Sequence, residues 1–143
     1  LLDLASASGV FNGTGYRDGT YLSTASPYYN TDASRVTTGL LPYTKDTQKP
    51  IYIKGVAYGT ASHDRVGYRS SAHASNGIYS TCSFGTSWVN TCFTATQLGS
   101  NYFKLTPKSA DVINSTLPGM THLAFSFVGK GADLIITIDE PIE

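Results

Sequence analysis

The feature that most constrains the fold is a period-two alternation near the end of the chain. In residues 122–128, Leu123, Phe125 and Phe127 alternate with smaller side chains. Successive side chains of a β-strand point to opposite faces, so this spacing predicts a strand packed on one side. A second apolar run, residues 133–138, follows a short glycine-containing reversal. We therefore expect the two segments to form a closing hairpin.

Short strands separated by turn clusters are expected along the rest of the chain. Turns rich in Gly, Asn, Asp and Ser recur at the spacing of roughly 8–12 residues that is typical of all-β sandwiches and barrels. We predict an all-β fold, an antiparallel β-sandwich of jelly-roll type with about eight strands, in a single domain covering residues 1–143. After a turn-rich opening with short edge strands, the expected strands are 35–41, 50–56, 64–69, 78–84, 90–96, 101–106, 122–128 and 133–138.

Local patterns refine this picture. Ile51, Ile53 and Val56 are expected to point inward, and so is the face of residues 64–69 that excludes the arginines. Asn76-Gly77 is a strong tight-turn pair. Residues 109–114 are expected to be a loop with at most a short helical segment, because Pro118-Gly119 follows at once.

The charge balance limits the kinds of partner. Lys+Arg and Asp+Glu number 10 each, so there is no basic field for nucleic acid. No apolar run approaches the 18 residues of a membrane helix, so no membrane insertion is expected. Charged residues make up only 14% of the chain, which favours an extracellular or virion surface, or packing against copies of the chain. The start lacks an initiator Met, and we expect a C-terminal part of a longer protein.

Cys82 and Cys92 allow two interpretations. If 78–84 and 90–96 are paired strands, the two sulfurs come within bridging reach across the hairpin. Alternatively, they are two small buried residues, as free cysteine often is. Zinc is disfavoured, since no second close Cys/His pair completes a four-ligand site.

Catalytic motifs are absent from the sequence. It contains no Gly-x-Ser-x-Gly elbow, His-Glu-x-x-His or phosphate-binding glycine loop. Asp139 and Glu140 are adjacent at a strand end, so their side chains point apart, which does not suit a cooperating acid and base. His63, His73 and His122 are scattered along the chain. We predict a protein that is not an enzyme and has no cofactor, and the question of a structural calcium ion stays open.

Aromatic residues among polar neighbours favour carbohydrate binding. Sugar rings stack on aromatic planes while nearby amides, hydroxyls, carboxylates and guanidinium groups bind the sugar hydroxyls. Trp88 is the first candidate, although it could equally close one end of the core. For each tyrosine, the alternative to ligand binding is a structural position at the margin of the core. Tyr28 and Tyr29 could also form a contact between subunits. The candidate ligand-binding residues are Trp88, Tyr28, Tyr29, Tyr68, Tyr79, Asp32 and Arg69.

Five segments carry a family resemblance. They are 35–43, 50–56, 102–107, 122–127 and 133–142. Together they resemble the C-terminal domains of phage tail, baseplate and receptor-binding proteins, which are similar to carbohydrate-binding modules. The resemblance covers roughly residues 35–142 and implies a β-sandwich on a virion tail or in an extracellular setting that binds a host cell-surface glycan or cell-wall polysaccharide. The shared motifs fall on scaffold residues, so no binding residue is carried over.

Two other functions stay open at this stage. One is a carbohydrate-binding module of a secreted glycan-degrading enzyme, which uses the same chemistry. The other is a purely structural tail-assembly module, in which low charge and surface tyrosines serve packing among copies. A homotrimer or other homo-oligomer is compatible with each function.

Overall fold

A computed structural model describes residues 15–25, 28–58, 64–72, 77–85 and 88–142. Several predictions fall outside these ranges. They concern most of the turn-rich opening, Asn76 of the predicted tight turn, and the histidines at positions 63 and 73.

Ten strands and two short helices are found in the described residues. The helices are α1 (Trp88–Cys92) and α2 (Ala110–Thr116), and a single 3₁₀ turn covers Gly131–Asp133. The strands are β1 (Tyr16–Leu22), β2 (Tyr29–Thr38), β3 (Leu41–Pro42), β4 (Ile51–Lys54), β5 (Arg65–Ser70), β6 (Ser80–Ser83), β7 (Phe93–Gly99), β8 (Tyr102–Pro107), β9 (Met120–Val128) and β10 (Ile135–Ile138).

The strands form two antiparallel sheets. The first sheet has the order β1-β2-β9-β5-β6, and the two-residue β3 also pairs with β9. The second sheet has the order β10-β4-β8-β7. The all-β prediction is confirmed at this level, with a sandwich-like arrangement in which both sheets contribute to one apolar core.

Aromatic rings join the two sheets. Phe103 of the second sheet lies 6.1 Å, centroid to centroid, from Phe127 of the first sheet and 5.4 Å from Phe84. All three rings are buried. Full burial of such a side chain stabilises the fold by about 1.5–3 kcal/mol, so these contacts account for a large part of the cohesion between the sheets.

The predicted alternation of β9 is confirmed. Leu123, Phe125 and Phe127 all lie in the core between the sheets. The opposite face of this strand is also covered, because Ala124 and Ser126 are fully buried. The inward positions predicted in residues 50–56 and 64–69 are buried as well.

The hairpin of β1 and β2 covers that opposite face. Leu22 joins Leu40, Ile78 and Ala124 in a second, smaller apolar cluster. The Leu22 backbone N–H donates to Ser126 Oγ at 3.4 Å, and Arg65 Nη1 donates to the Leu22 carbonyl at 3.1 Å. The end of the hairpin is therefore docked on the outer face of the first sheet.

A large bulge lets the hairpin change direction. Asp18 pairs with Val36 but Thr20 pairs with Thr31, so residues 32–35 of β2 lie opposite a single residue of β1. Bulges bend a strand and increase its twist. Arg35 in this bulge forms an ion pair with the buried Asp64. This pair ties the bulge to the start of β5.

The predicted closing hairpin of β9 and β10 is wrong. β10 pairs with β4 in the second sheet, and the 3₁₀ turn at Gly131–Asp133 carries the chain from one sheet to the other. Alternation identifies which face of a strand is apolar but not which strand lies beside it. Both sheets share one core, so a strand of either sheet can bury its apolar face there. Ile136, in the second sheet, is fully buried in this core.

The pairing of 78–84 with 90–96, on which the disulfide interpretation depended, is not observed. β6 pairs with β5, and residues 90–92 belong to α1. The buried residues Trp88, Val89 and Cys92 have the spacing of one helix face, which explains the helix. Cys82 and Cys92 are both free and buried, so the alternative of two small core residues describes them.

The short helical segment expected near residues 109–114 is confirmed as α2. Ser109 caps it, since its Oγ accepts from the Val112 backbone N–H at 3.3 Å. Among the described residues, no helix is long and apolar enough to cross a membrane.

Candidate functional site

Three of the predicted binding residues come together beside β6. Tyr68 lies on β5, Tyr79 immediately precedes β6, and Trp88 begins α1. The Tyr68 ring centroid is 5.4 Å from that of Tyr79 and 6.0 Å from that of Trp88. We call these three residues the aromatic row.

Exposure differs sharply along the aromatic row. Trp88 is 8% exposed and Tyr68 is 3% exposed, whereas Tyr79 is 54% exposed. The structure therefore places Trp88 in the core, as the alternative interpretation expected, and its indole offers little free surface for stacking. Tyr79 is the member that presents its ring to solvent.

The backbone fixes the position of Tyr79. Its N–H donates to the Tyr68 carbonyl at 2.8 Å, and the preceding Ile78 is fully buried. The buried Ile78 and this hydrogen bond therefore hold the backbone from which the exposed ring projects. Burial raises the pKa of Tyr68, and the neighbouring Tyr79 raises it further. Tyr68 therefore stays neutral at physiological pH.

The base of the aromatic row is buried. Among the described residues, no hydrogen-bond partner is found for the buried Trp88 Nε1. Burial raises the pKa of the nearby Cys82 thiol to about 12, although the backbone N–H groups of Val89 and Trp88 partly oppose the shift. A thiol with such a pKa is almost entirely protonated near neutral pH, so it is not an activated nucleophile.

Three other predicted residues lie on the β1–β2 hairpin. Tyr28 packs against the small cluster that contains Ile78, the neighbour of Tyr79. Tyr29 lies beneath the guanidinium of Arg17, whose Cζ is 5.2 Å from the ring centroid. Asp32 accepts from Ser34, both from its N–H and from its Oγ. The hairpin end thus approaches the segment that carries Tyr79, while Asp32 serves the bulge.

Arg69 is not on the same face as Tyr68. It follows Tyr68 on β5, so its side chain points to the outer face, where it lies opposite His122 of β9. Its carbonyl accepts from Thr121 Oγ1 at 3.2 Å. The structure does not join Arg69 to the aromatic row.

Sequence reasoning missed a second group, on the outer face of the second sheet. β4 carries Tyr52 and Lys54, and β8 carries Tyr102 and Lys104. In the antiparallel register Tyr52 lies opposite Lys104, and Lys54 lies opposite Tyr102. We call these four residues the Tyr–Lys face. The signal was present in the sequence, because both strands repeat Tyr-x-Lys with apolar residues between.

Metal ligands are not gathered in the described part of the chain. Within it, no group of three or more His, Cys, Asp and Glu side chains could hold a metal ion. The buried carboxylate of Asp64 is paired with Arg35.

We compared the chain with protein-family models, curated proteins and solved structures, and none of them matches.

Proposed function

We propose that this chain is a non-catalytic carbohydrate-binding domain in which the exposed ring of Tyr79 is the stacking surface for a sugar. The observation that carries the proposal is the exposure of Tyr79 on top of the buried ring of Tyr68. An exposed aromatic ring on an ordered support is the element that sugar stacking requires. Tyr28, at the docked hairpin end, is an additional candidate because it packs against the cluster that contains Ile78.

The polar surroundings suit the same ligand. Ser80 and Thr81 follow Tyr79 in the chain and are partly exposed, so the segment that carries the ring also carries hydroxyl groups. Sugar hydroxyls need such partners to set the orientation of a stacked ring. Trp88 and Tyr68 act in this proposal as supports of Tyr79, and not as contacts to the ligand.

We further propose that the ligand is a host cell-surface glycan and that the domain belongs to a phage or prophage tail protein. The support is the resemblance of the strand segments between residues 35 and 142, together with the low proportion of charged residues. A jelly-roll topology is part of this proposal. The nested pairing of β2 with β9 and of β4 with β8 favours it.

The experiment is binding of the purified chain to an array of glycans and bacterial cell-wall polysaccharides. Tyr79→Ala should weaken binding about tenfold, since an aromatic contact contributes about 0.5–1.5 kcal/mol beyond the area it buries. Tyr79→Phe keeps the ring and should retain most of the affinity. Val128→Ala is the matched control, because Val128 is an exposed apolar residue on β9.

Multimers must be tested beside monomers. Shallow sugar sites bind weakly, and repeated copies raise avidity by a factor on the order of 10²–10⁴ when their spacing matches the surface. If neither form binds any glycan, the glycan proposal fails and a structural assembly module becomes the better description. If binding persists in a folded Tyr79→Ala variant, the site lies elsewhere.

A further inference from the structure

We propose that the Tyr–Lys face is a second binding surface, and that its ligand is an acidic polysaccharide. Lys54 and Lys104 would contact the anionic groups of the polymer, and Tyr52 and Tyr102 are positioning residues that orient the two ammonium groups. This surface belongs to the second sheet, whereas the aromatic row lies beside β6 of the first. The inference therefore does not depend on the function proposed for Tyr79.

Each lysine lies over the ring on the opposite strand. Lys54 Nζ is 5.5 Å from the centroid of the Tyr102 ring, and Lys104 Nζ is 5.5 Å from that of Tyr52. A cation over an aromatic face is attracted by the ring quadrupole. The ammonium groups are therefore held near the sheet and do not extend freely into solvent.

The rings themselves are held in place. The centroids of Tyr52 and Tyr102 are 6.4 Å apart, with 38° between the ring planes. The Ile142 backbone N–H donates to the Tyr102 hydroxyl at 3.0 Å, so the segment after β10 crosses to this face and fixes the outer end of that ring. Tyr52 is 8% exposed. These rings are therefore supports for the lysines and are not free stacking surfaces.

The positive charge of this face has no acidic partner within the described residues. Among the residues that the structure describes, no carboxylate lies within 4.0 Å of Lys54 or Lys104, and Asp139 pairs with Lys49 at 4.0 Å. In the register Lys54 and Lys104 are diagonal neighbours, whose backbones lie about 7–8 Å apart. The two ammonium groups are like charges on the same face, and an anionic ligand that contacts both would reduce their mutual repulsion.

The surroundings favour a polysaccharide over nucleic acid. Exposed hydroxyls of Thr96 and Thr106 extend the same face, and they can bind sugar hydroxyls as well as anionic oxygens. Nucleic-acid binding uses several phosphate contacts along a basic track, and this chain has zero formal net charge. Two fixed ammonium groups beside hydroxyls suit a polymer that carries both acidic groups and free sugar hydroxyls.

The test is titration of the full chain with alginate, dextran sulfate and neutral dextran at two salt concentrations. Binding to an acidic polymer that falls with added salt, with no binding to dextran, is expected. Alginate against dextran sulfate separates carboxylate from sulfate recognition. The Lys54→Gln/Lys104→Gln double variant should raise the apparent Kd about tenfold, as the loss of two modest ion pairs predicts.

Controls separate this surface from general charge effects and from the aromatic row. Lys130→Gln removes one charge from an exposed residue beside the 3₁₀ turn and should leave Kd unchanged. Tyr79→Ala should also leave alginate binding unchanged. Equal binding by the double variant and the unmodified chain would overturn the inference, and so would absence of binding to both acidic polymers. Tighter binding to a single-stranded oligonucleotide would likewise overturn it in favour of nucleic acid.

Discussion

His122 combines partial burial with a cationic neighbour. It lies on β9 opposite Arg69 of β5, and its Nδ1 is 2.8 Å from Thr121 Oγ1. Desolvation by burial lowers the pKa of His122, and the positive charge of Arg69 lowers it further. Both causes disfavour the protonated imidazole in the folded protein, so this residue couples folding to pH.

The sign of the effect follows from proton binding. In the unfolded chain His122 has a pKa near 6.5, and in the folded chain its pKa is lower. As the pH falls, the unfolded chain therefore binds this proton before the folded chain does. The contribution of His122 to the free energy of unfolding is therefore complete above pH 6.5 and is lost as the pH falls through its lower folded pKa. Urea unfolding at pH 7.5 and pH 5.5 should show the decrease.

His122→Gln is the control for this prediction. The variant has no imidazole to titrate, so the difference in unfolding free energy between the two pH values should become smaller than in the unmodified chain. An equal difference in both proteins would assign the pH dependence to other groups.

Residue types predicted the candidate site only in part. The sequence identified Tyr68, Tyr79 and Trp88, and these three do come together. It placed Trp88 first although Tyr79 is the exposed member, because a Trp beside Ser, Thr and Gly has the same local pattern whether it faces solvent or the core. Burial of Trp88 depends on α1 packing against Tyr68 of a strand distant in sequence, and no local pattern carries that information.

At the scale of elements, Gly67 leaves room for Ile78 and the end of the β1–β2 hairpin to pack on the outer face of the first sheet. It lies on the outer face of β5, opposite Ala124 of β9. A Cβ added at Gly67 would lie 2.8 Å from Ile78 Cγ2 and 3.3 Å from Thr81 Cγ2. Small residues at both positions make room for Ile78 and Leu22, which form the outer cluster.

Gly67→Ala should therefore destabilise the protein by about 1–3 kcal/mol, the usual cost of overpacking a close contact. The measurement is chemical denaturation. Gly99→Ala is the matched control, because a Cβ there would meet nothing within 4 Å. It should change the free energy of unfolding by less than about 1 kcal/mol. Equal stabilities of the two variants would contradict the packing argument.

Strand positions were easier to predict than strand partners. β4, β5, β8 and β9 lie where apolar alternation predicted them, since alternation depends only on one buried face. The partner of β10 was predicted wrongly, because β10 could bury its apolar face in either sheet. The five-residue α1 was missed, since a helix of barely more than one turn is too short to show a helical period.

At the scale of the whole molecule, the common core predicts that both sheets unfold together. Phe103 contacts Phe84 and Phe127, so it links the two layers directly. Phe103→Ala should cost about 3–5 kcal/mol, a large fraction of the 5–15 kcal/mol that stabilises a typical domain. Amide hydrogen exchange followed strand by strand should show protection falling in both sheets.

Leu98→Ala is the control for this experiment, because Leu98 is an exposed residue of β7. Its amide protection should match that of the unmodified chain. Protection that is lost from the second sheet alone in Phe103→Ala would mean that the two layers are independent, and it would contradict the prediction.

The burial of Trp88 gives the molecule an intrinsic optical probe. Trp88 is the single tryptophan of the chain, so its fluorescence comes from one known place. An indole in an apolar environment with no hydrogen bond to Nε1 emits at shorter wavelength than one in water. Since the Tyr68 ring contacts both Trp88 and Tyr79, the same unlabelled emission can report both loss of the core and occupancy of the surface at Tyr79.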